Sequence, residues 1–332
     1  MTVRQTALLV AVVSVALMLV GRLGFVERSD FGPADLARFE SQAEGLDLPD
    51  WYGDTPFFMT WSRGDGQVFV TLALDPTGEG PGRLLGDALY RYGRIGFSLL
   101  GRLAVGWNAD LVPIGLWIVN TIAVAALGWV AGLRYHTIGA RSLLIPLNPA
   151  VFVGYTNDTA EVLAILAVSL AFVTRRRWWV VLTAVLLGTT REAYLTVAPA
   201  VRRPVLFSLV GAGAVISTRL LGLSLGIPGR LVAGTLTIPF VGYWSAWGDQ
   251  TTVARSLSLV VLVAAVLTVV AGFTERTGAE RLAFVSTGLL ITALAPVVMD
   301  APTNLLRAAG AIPLLWTAVA PVPTNSRSDL QA

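Results

Sequence analysis

The 332-residue chain contains no cysteine, no lysine and a single histidine, His136. Each absence removes a class of chemistry. Without cysteine there is no disulfide, no thiolate nucleophile and no Cys-ligated metal. Without lysine there is no Walker-type phosphate loop and no Schiff base. One histidine cannot build a His-rich metal site. Charge is also scarce, at 14% of residues, where an average soluble domain carries about 25%. All 24 basic residues are arginines. The net charge of +3 comes from arginines in short loops, a pattern that reads as membrane orientation rather than nucleic-acid binding.

Apolar residues make up 55% of the chain, and mean hydropathy is +0.68. Several runs approach or exceed the roughly 18 residues that mark a transmembrane helix. The expected fold is therefore a single all-α polytopic membrane domain, residues 1–332, with about 9–11 transmembrane or half-membrane helices. Thr6 to Phe25 follows Arg4 and shows no A-x-A-like cleavage site, so it reads as a retained first helix with a cytoplasmic N-terminus.

Residues 26–90 form the one long polar segment. It holds twelve of the chain's 21 acids against four arginines, which suits a non-cytoplasmic loop carrying short interfacial helices, one of them opening at Pro33. Downstream, helices are expected near 111–133, 142–156, 159–174, 178–190, 205–223, 254–273, 282–299 and 304–321, then a short cytoplasmic tail, 322–332. Four connections carry arginine: Arg134 with Arg141, Arg175 to Arg177, Arg202 with Arg203, and Arg276 with Arg281. Placing all four in the cytoplasm leaves 94–107 and 191–201 too short to span. Residues 94–107 then read as a re-entrant hairpin, and 178–201 as two short helices meeting at Thr190-Arg191-Glu192; if 94–107 spans fully instead, the first two arginine clusters face outside. Irregular backbone at that depth has to line a cavity or be buried in protein.

Candidate chemistry begins with Asp65, in Gly64-Asp65-Gly66-Gln67. It reads either as an Asp-Gly turn residue or as a catalytic base. Tyr90, Arg91, Tyr92 and Arg94 read as an interfacial aromatic belt or as a phosphate clamp, because a guanidinium fork matches phosphate oxygens. At helical spacing Arg91 and Arg94 share a face. Asn157, Asp158 and Glu161 cluster where two helices meet, and Asp158 is also a candidate helix cap. Arg191 and Glu192 are costly in an apolar run and so mark either a functional cavity or a structural ion pair. Arg307, after Asp300 and Asn304, is a second candidate phosphate ligand or an anchor. Arg219 and Arg230 flank a Gly/Pro loop, and Tyr243, Trp244 and Trp247 read as interfacial aromatics.

Asp65-Gly66-Gln67, Ala73-Leu74-Asp75-Pro76, Tyr90 to Ile95, Asn148-Pro149, Asp158, Arg191-Glu192 and Arg307 together resemble motifs of the GT-C superfamily of membrane glycosyltransferases. The likeness is to small bacterial members linked to cell-surface glycopolymers, and it is clearest over residues 60–200. It departs from the family at Val68-Phe69, where an aromatic is usual nearer Gln67, and in having no soluble C-terminal domain. The resemblance implies a polyprenyl-phosphate sugar donor, a glycan or lipid acceptor, and a site on the outer face of the cytoplasmic membrane. It implies that a carboxylate of the first outer loop is base or metal ligand, with Asp30 a rival to Asp65. No metal ligand set is identified, though one Asp with phosphate oxygens could hold Mg²⁺ or Mn²⁺ loosely. Substrate contacts would fall to Gln67, Tyr90, Arg91, Arg94, Asp158, Arg191, Glu192 and Arg307. A carrier or flippase for a lipid-linked or anionic solute also fits intramembrane charge and broken helices, as does a non-catalytic assembly partner.

Overall fold

The computed structural model describes residues 1–26, 65–85, 87–157, 159–230, 238–248, 250–274, 276, 278–294 and 302–318. Asp30, the helix expected after Pro33, Asp158 and the tail 322–332 lie outside the described residues. In chain order the helices are α1 (Val3–Val26), α2 (Asp65–Leu74), α3 (Ala88–Tyr92), α4 (Ile95–Ala104), α5 (Val112–Ile138), α6 (Pro149–Thr156), α7 (Glu161–Val173), α8 (Arg177–Gly188), α9 (Pro204–Ser224), α10 (Val241–Ala246), α11 (Thr252–Thr274), α12 (Gly278–Thr292), α13 (Pro302–Ala309) and α14 (Ala311–Ala318). Short 3₁₀ segments include Gly139–Leu144 and Glu192–Ala200. No strand occurs among the described residues.

Among the described residues four helical stretches are long and apolar enough to cross a membrane: Val3–Leu23, Ala109–Leu144, Pro204–Ser224 and Thr252–Thr274. A helix satisfies its own backbone, which is what lipid requires. Lipid supplies little hydrophobic drive between helices, so they hold together by close backbone approach at small residues. A Cβ on Gly128 would lie 2.6 Å from Ala11 Cα, and one on Gly132 would lie 2.3 Å from Ala7 Cα. These two contacts fix α1 antiparallel to α5. A Cβ on Gly288 would lie 2.7 Å from the Ala265 carbonyl oxygen, so α12 packs closely on α11 there.

Two expected helices are broken. The 142–156 stretch opens as a 3₁₀ turn and becomes α-helix only at Pro149, because Pro146 and Pro149 withhold two backbone donors. The 304–321 stretch is interrupted at Gly310, where a Cβ would meet Tyr194 Oη at 2.4 Å and Ala150 Cβ at 2.6 Å. The pair of short elements meeting at Arg191-Glu192 is present as α8 and the 3₁₀ segment Glu192–Ala200.

The arginine-bearing connections converge on one end of the bundle. Arg134 donates to the Thr317 carbonyl at 3.2 Å and interacts electrostatically with Arg202, which in turn interacts with Arg175. Arg276 lies 5.2 Å from the Phe284 ring, and Phe284 packs edge-on against Trp316. His136 Nε2 is 3.2 Å from Thr6 Oγ1, which brings the N-terminus to the same end.

From that end, three elements stop early. α7 has 13 residues, α8 has 12 and the 3₁₀ return has nine. At about 1.5 Å per α-helical and about 2.0 Å per 3₁₀ residue, each rises roughly 18–20 Å. A hydrocarbon layer is about 30 Å thick. Among the described residues these three elements therefore end about 10 Å short of such a thickness, and the step at their ends is called the recess.

Candidate functional site

The recess is floored by charge. Glu161 opens α7, Arg191 and Glu192 form the turn between α8 and the 3₁₀ return, Arg219 sits in the last third of α9, and Arg307 is on α13. Arg94 stands at the N-cap of α4. Glu161 is 1% exposed, and its Oε1 receives Arg307 Nε at 2.8 Å. Arg191 Nε approaches the same oxygen at 3.4 Å. Glu192 accepts from Arg94 Nε at 3.2 Å on Oε2, and on Oε1 from Arg94 Nη2 at 3.4 Å and Arg219 Nη2 at 3.2 Å. The two halves are coupled: Arg94 interacts electrostatically with Arg191, Glu161 and Arg307 as well as Glu192, and Glu192 with Arg191. Among the described residues of the cluster, four guanidinium groups face two carboxylates.

Neighbouring residues set these positions. Tyr90 lies under two cations, with Arg94 Cζ 4.4 Å and Arg219 Cζ 4.8 Å from its ring centre, and its hydroxyl accepts from Arg94 Nη2. Gly93 makes room for Arg219, whose Cζ would lie 2.5 Å from a Cβ there. Arg219 Nη1 donates to the Leu89 carbonyl at 3.2 Å. On the other side, Asn148 caps α6 through the Ala150 N–H and donates Nδ2 to the Gly310 carbonyl at 2.8 Å. Tyr194 Oη donates to the Arg307 carbonyl at 2.6 Å. These two bonds fix the α13–α14 junction and, with it, Arg307.

The helix starts add to the positive field. α2 and α4 run side by side in the same direction, since Ser98 Oγ donates to the Phe69 carbonyl at 2.7 Å and Arg102 Nη1 to the Leu74 carbonyl at 2.8 Å. One turn back from each Ser98 partner, the first residue of α2, Asp65, is level with Arg94. The N-termini of α2, α4 and α7 thus open towards the recess, each carrying roughly half a positive charge. A cation at a helix N-terminus is disfavoured by that dipole, yet Arg94 stands at the N-cap position of α4 and Arg191 at that of the 3₁₀ return, neither with a side-chain capping bond. Such an arrangement favours an anion.

Several expectations change. Asp65 is the first residue of α2, a helix whose Val70, Leu72 and Ala73 are fully buried, rather than part of a turn. Gln67 lies in the same helix. Arg91 and Arg94 do not share one helix face, because α3 ends at Tyr92 and Arg94 caps the next helix across Gly93. Arg91 is half-buried on α3. Asp75 and Tyr92 are structural: the Asp75 carboxylate accepts the N–H groups of Glu79, Gly80 and Gly82, and Tyr92 Oη donates to the Asp75 carbonyl at 2.8 Å. Tyr90, Arg94, Arg191, Glu192 and Arg307 do come together. Arg219 and Glu161 join them, and neither was expected at the centre. The signal for Arg219 was a lone arginine in the apolar run Pro204–Ser224.

Among the described residues no three Asp, Glu, His or Cys side chains gather as a metal site. The groups that crowd the recess are guanidiniums, which repel a cation, so no step is drawn through Mg²⁺ or Mn²⁺. Comparison with protein-family models, curated proteins and solved structures finds no match to this chain.

Proposed function

We propose that the protein is a GT-C-type glycosyltransferase that moves a sugar from a polyprenyl-phosphate donor to a cell-envelope glycan or lipid acceptor. The observation that carries the reading is the gathering of Arg94, Arg191, Arg219 and Arg307, with three helix N-termini beside them, deep among apolar helices. An arginine fork and helix N-termini both recognise phosphate. A phosphate that reaches such a depth fits a ligand whose tail lies in lipid. During transfer, negative charge builds on the departing phosphate, and preorganised guanidinium groups lower the energy of that state. Glu161 is committed to Arg307 and Arg191, and the reading assigns Asp65, at the start of α2, as the base for the acceptor hydroxyl. Direct displacement with a single base inverts the anomeric carbon. In this reading the arginine-rich end faces the cytoplasm of a bacterial cell membrane and the recess opens outward.

The test is transfer from labelled prenyl-phosphate mannose, arabinose or glucose by the purified protein. Transfer that disappears in Asp65→Asn, while the variant keeps the wild-type melting profile, supports the reading. Transfer undiminished in that variant removes Asp65 from the mechanism. Tight binding of the donors without any transfer favours a carrier of lipid-linked anions, which the half-length helices around the recess also suit.

A further inference from the structure

The six-residue cluster divides into a sealed half and a more exposed half. Glu161 and Arg307 are 1% and 4% exposed, whereas Glu192 is 22% exposed, the most of any charged side chain there. Its carboxylate has the contacts an anionic ligand would make: a two-pronged approach from Arg94 and a third from Arg219, with Tyr90 behind both cations. These ion pairs, with the nearby charge of Arg191, hold the Glu192 carboxylate in place. Two arginines sharing one carboxylate retain hydrogen-bond donors that a phosphate, with more oxygens, can use.

Resting on the phosphate-lipid reading above, we propose that the seat for the ligand's phosphate is the Tyr90–Arg94–Arg219 clamp, and that Glu192 is a stand-in that occupies this seat in the empty protein and leaves it when the ligand arrives. Arg191, Glu161 and Arg307 form the fixed wall behind the seat. A stand-in has a physical purpose. Two cations stacked on one ring in a recess repel each other, and a tethered carboxylate holds the clamp in its binding geometry until a stronger anion replaces it. Glu192 heads a 3₁₀ segment rather than an α-helix, so little helical structure is lost when its side chain turns towards the mouth of the recess.

The probe is farnesyl phosphate, with farnesol as the neutral control, bound to the full-length purified protein in detergent. Wild type is expected to prefer the phosphate. Glu192→Gln removes the competitor and is expected to tighten binding about tenfold, the scale of one charged hydrogen bond. Arg219→Gln is expected to weaken binding at least as much. Glu161→Gln removes an equal charge from the fixed wall and is expected to bring no gain. Equal tightening in the two glutamate variants would reduce the effect to net charge and overturn the stand-in. So would unchanged or weaker binding in Glu192→Gln. Wild type that does not distinguish farnesyl phosphate from farnesol would overturn the phosphate-lipid reading itself. A second measurement needs no variant: carbodiimide labelling of Glu192, followed by peptide mapping, should rise when farnesyl phosphate saturates the wild-type protein. Labelling that stays level or falls would show that the carboxylate never leaves.

Discussion

Arg307 Nε donates to Glu161 Oε1 at 2.8 Å, although 146 residues separate the two in the chain. The bond ties α13 to the start of α7, and both side chains are almost wholly enclosed. Removing one member of a buried ion pair leaves the other uncompensated, at a cost of about 3–5 kcal/mol.

Glu161→Gln is therefore expected to destabilise the protein by about 3 kcal/mol or more. Adding Arg307→Gln should recover part of that loss, because the double change removes both charges. Thermal melts of the two single variants and the double variant measure it. Strictly additive losses would mean that the pair is not coupled.

Glycine positions give a contrast. Gly93→Ala forces Arg219 off Tyr90, since the new Cβ would lie 2.5 Å from its Cζ, and such overpacking costs about 1–3 kcal/mol. Gly213 is in α9 too, but a Cβ there meets nothing within 4 Å, so Gly213→Ala should be neutral or stabilise by up to about 1 kcal/mol. Melting curves separate the two outcomes. Equal losses would place no special demand on Gly93.

Asn148→Ala removes the cap of α6 and the bond that fixes Gly310. A lost cap alone costs about 1 kcal/mol, and the freed Gly310 carbonyl, buried in the packing, adds about 1–3 kcal/mol. Because the same bond positions Arg307, binding of farnesyl phosphate should weaken along with stability. A stability loss with binding intact would detach Asn148 from the site.

Sidedness is also measurable, and the absence of cysteine makes single-cysteine labelling clean. Cysteines placed at Thr2 and Arg176 should react with an impermeant maleimide from the same side of the membrane, and one at Asp110 from the other. Labelling of Thr2 and Arg176 from opposite sides would contradict the convergence of Arg134, Arg175 and Arg202.

Much of this was readable from residue type and spacing. Thr190-Arg191-Glu192 betrayed the break between α8 and its return because charge inside an apolar run has to be used. The run 254–273 announced, by length and apolar composition, a helix that the structure shows as Thr252–Thr274, long enough to cross a membrane. Pairing was less legible. The sequence marks Arg219 as a flank of a Gly/Pro loop, yet the rule that singled out Arg191 applies equally to it. Gly93 appears in sequence as one more glycine, and its role emerges only when Arg219, 126 residues later, is seen lying against it. The Asp75-Pro76 pair drew notice as a motif, but its carboxylate is consumed by three backbone N–H groups of its own loop. A local pattern names a residue; which distant partner uses up its hydrogen bonds depends on how the helices pack.

The early ends of α7 and α8 have an electrical consequence. If the insulating layer is about 30 Å thick and the recess floor stands roughly 20 Å from the arginine-rich side, an anion arriving from the open side crosses about a third of the transmembrane potential. Moving one elementary charge through all of it is worth about 2.3 kcal/mol per 100 mV. Occupancy by a monovalent anion should then shift by close to 0.8 kcal/mol for each 100 mV imposed, so that an energised vesicle and a detergent micelle would report different affinities for the same ligand.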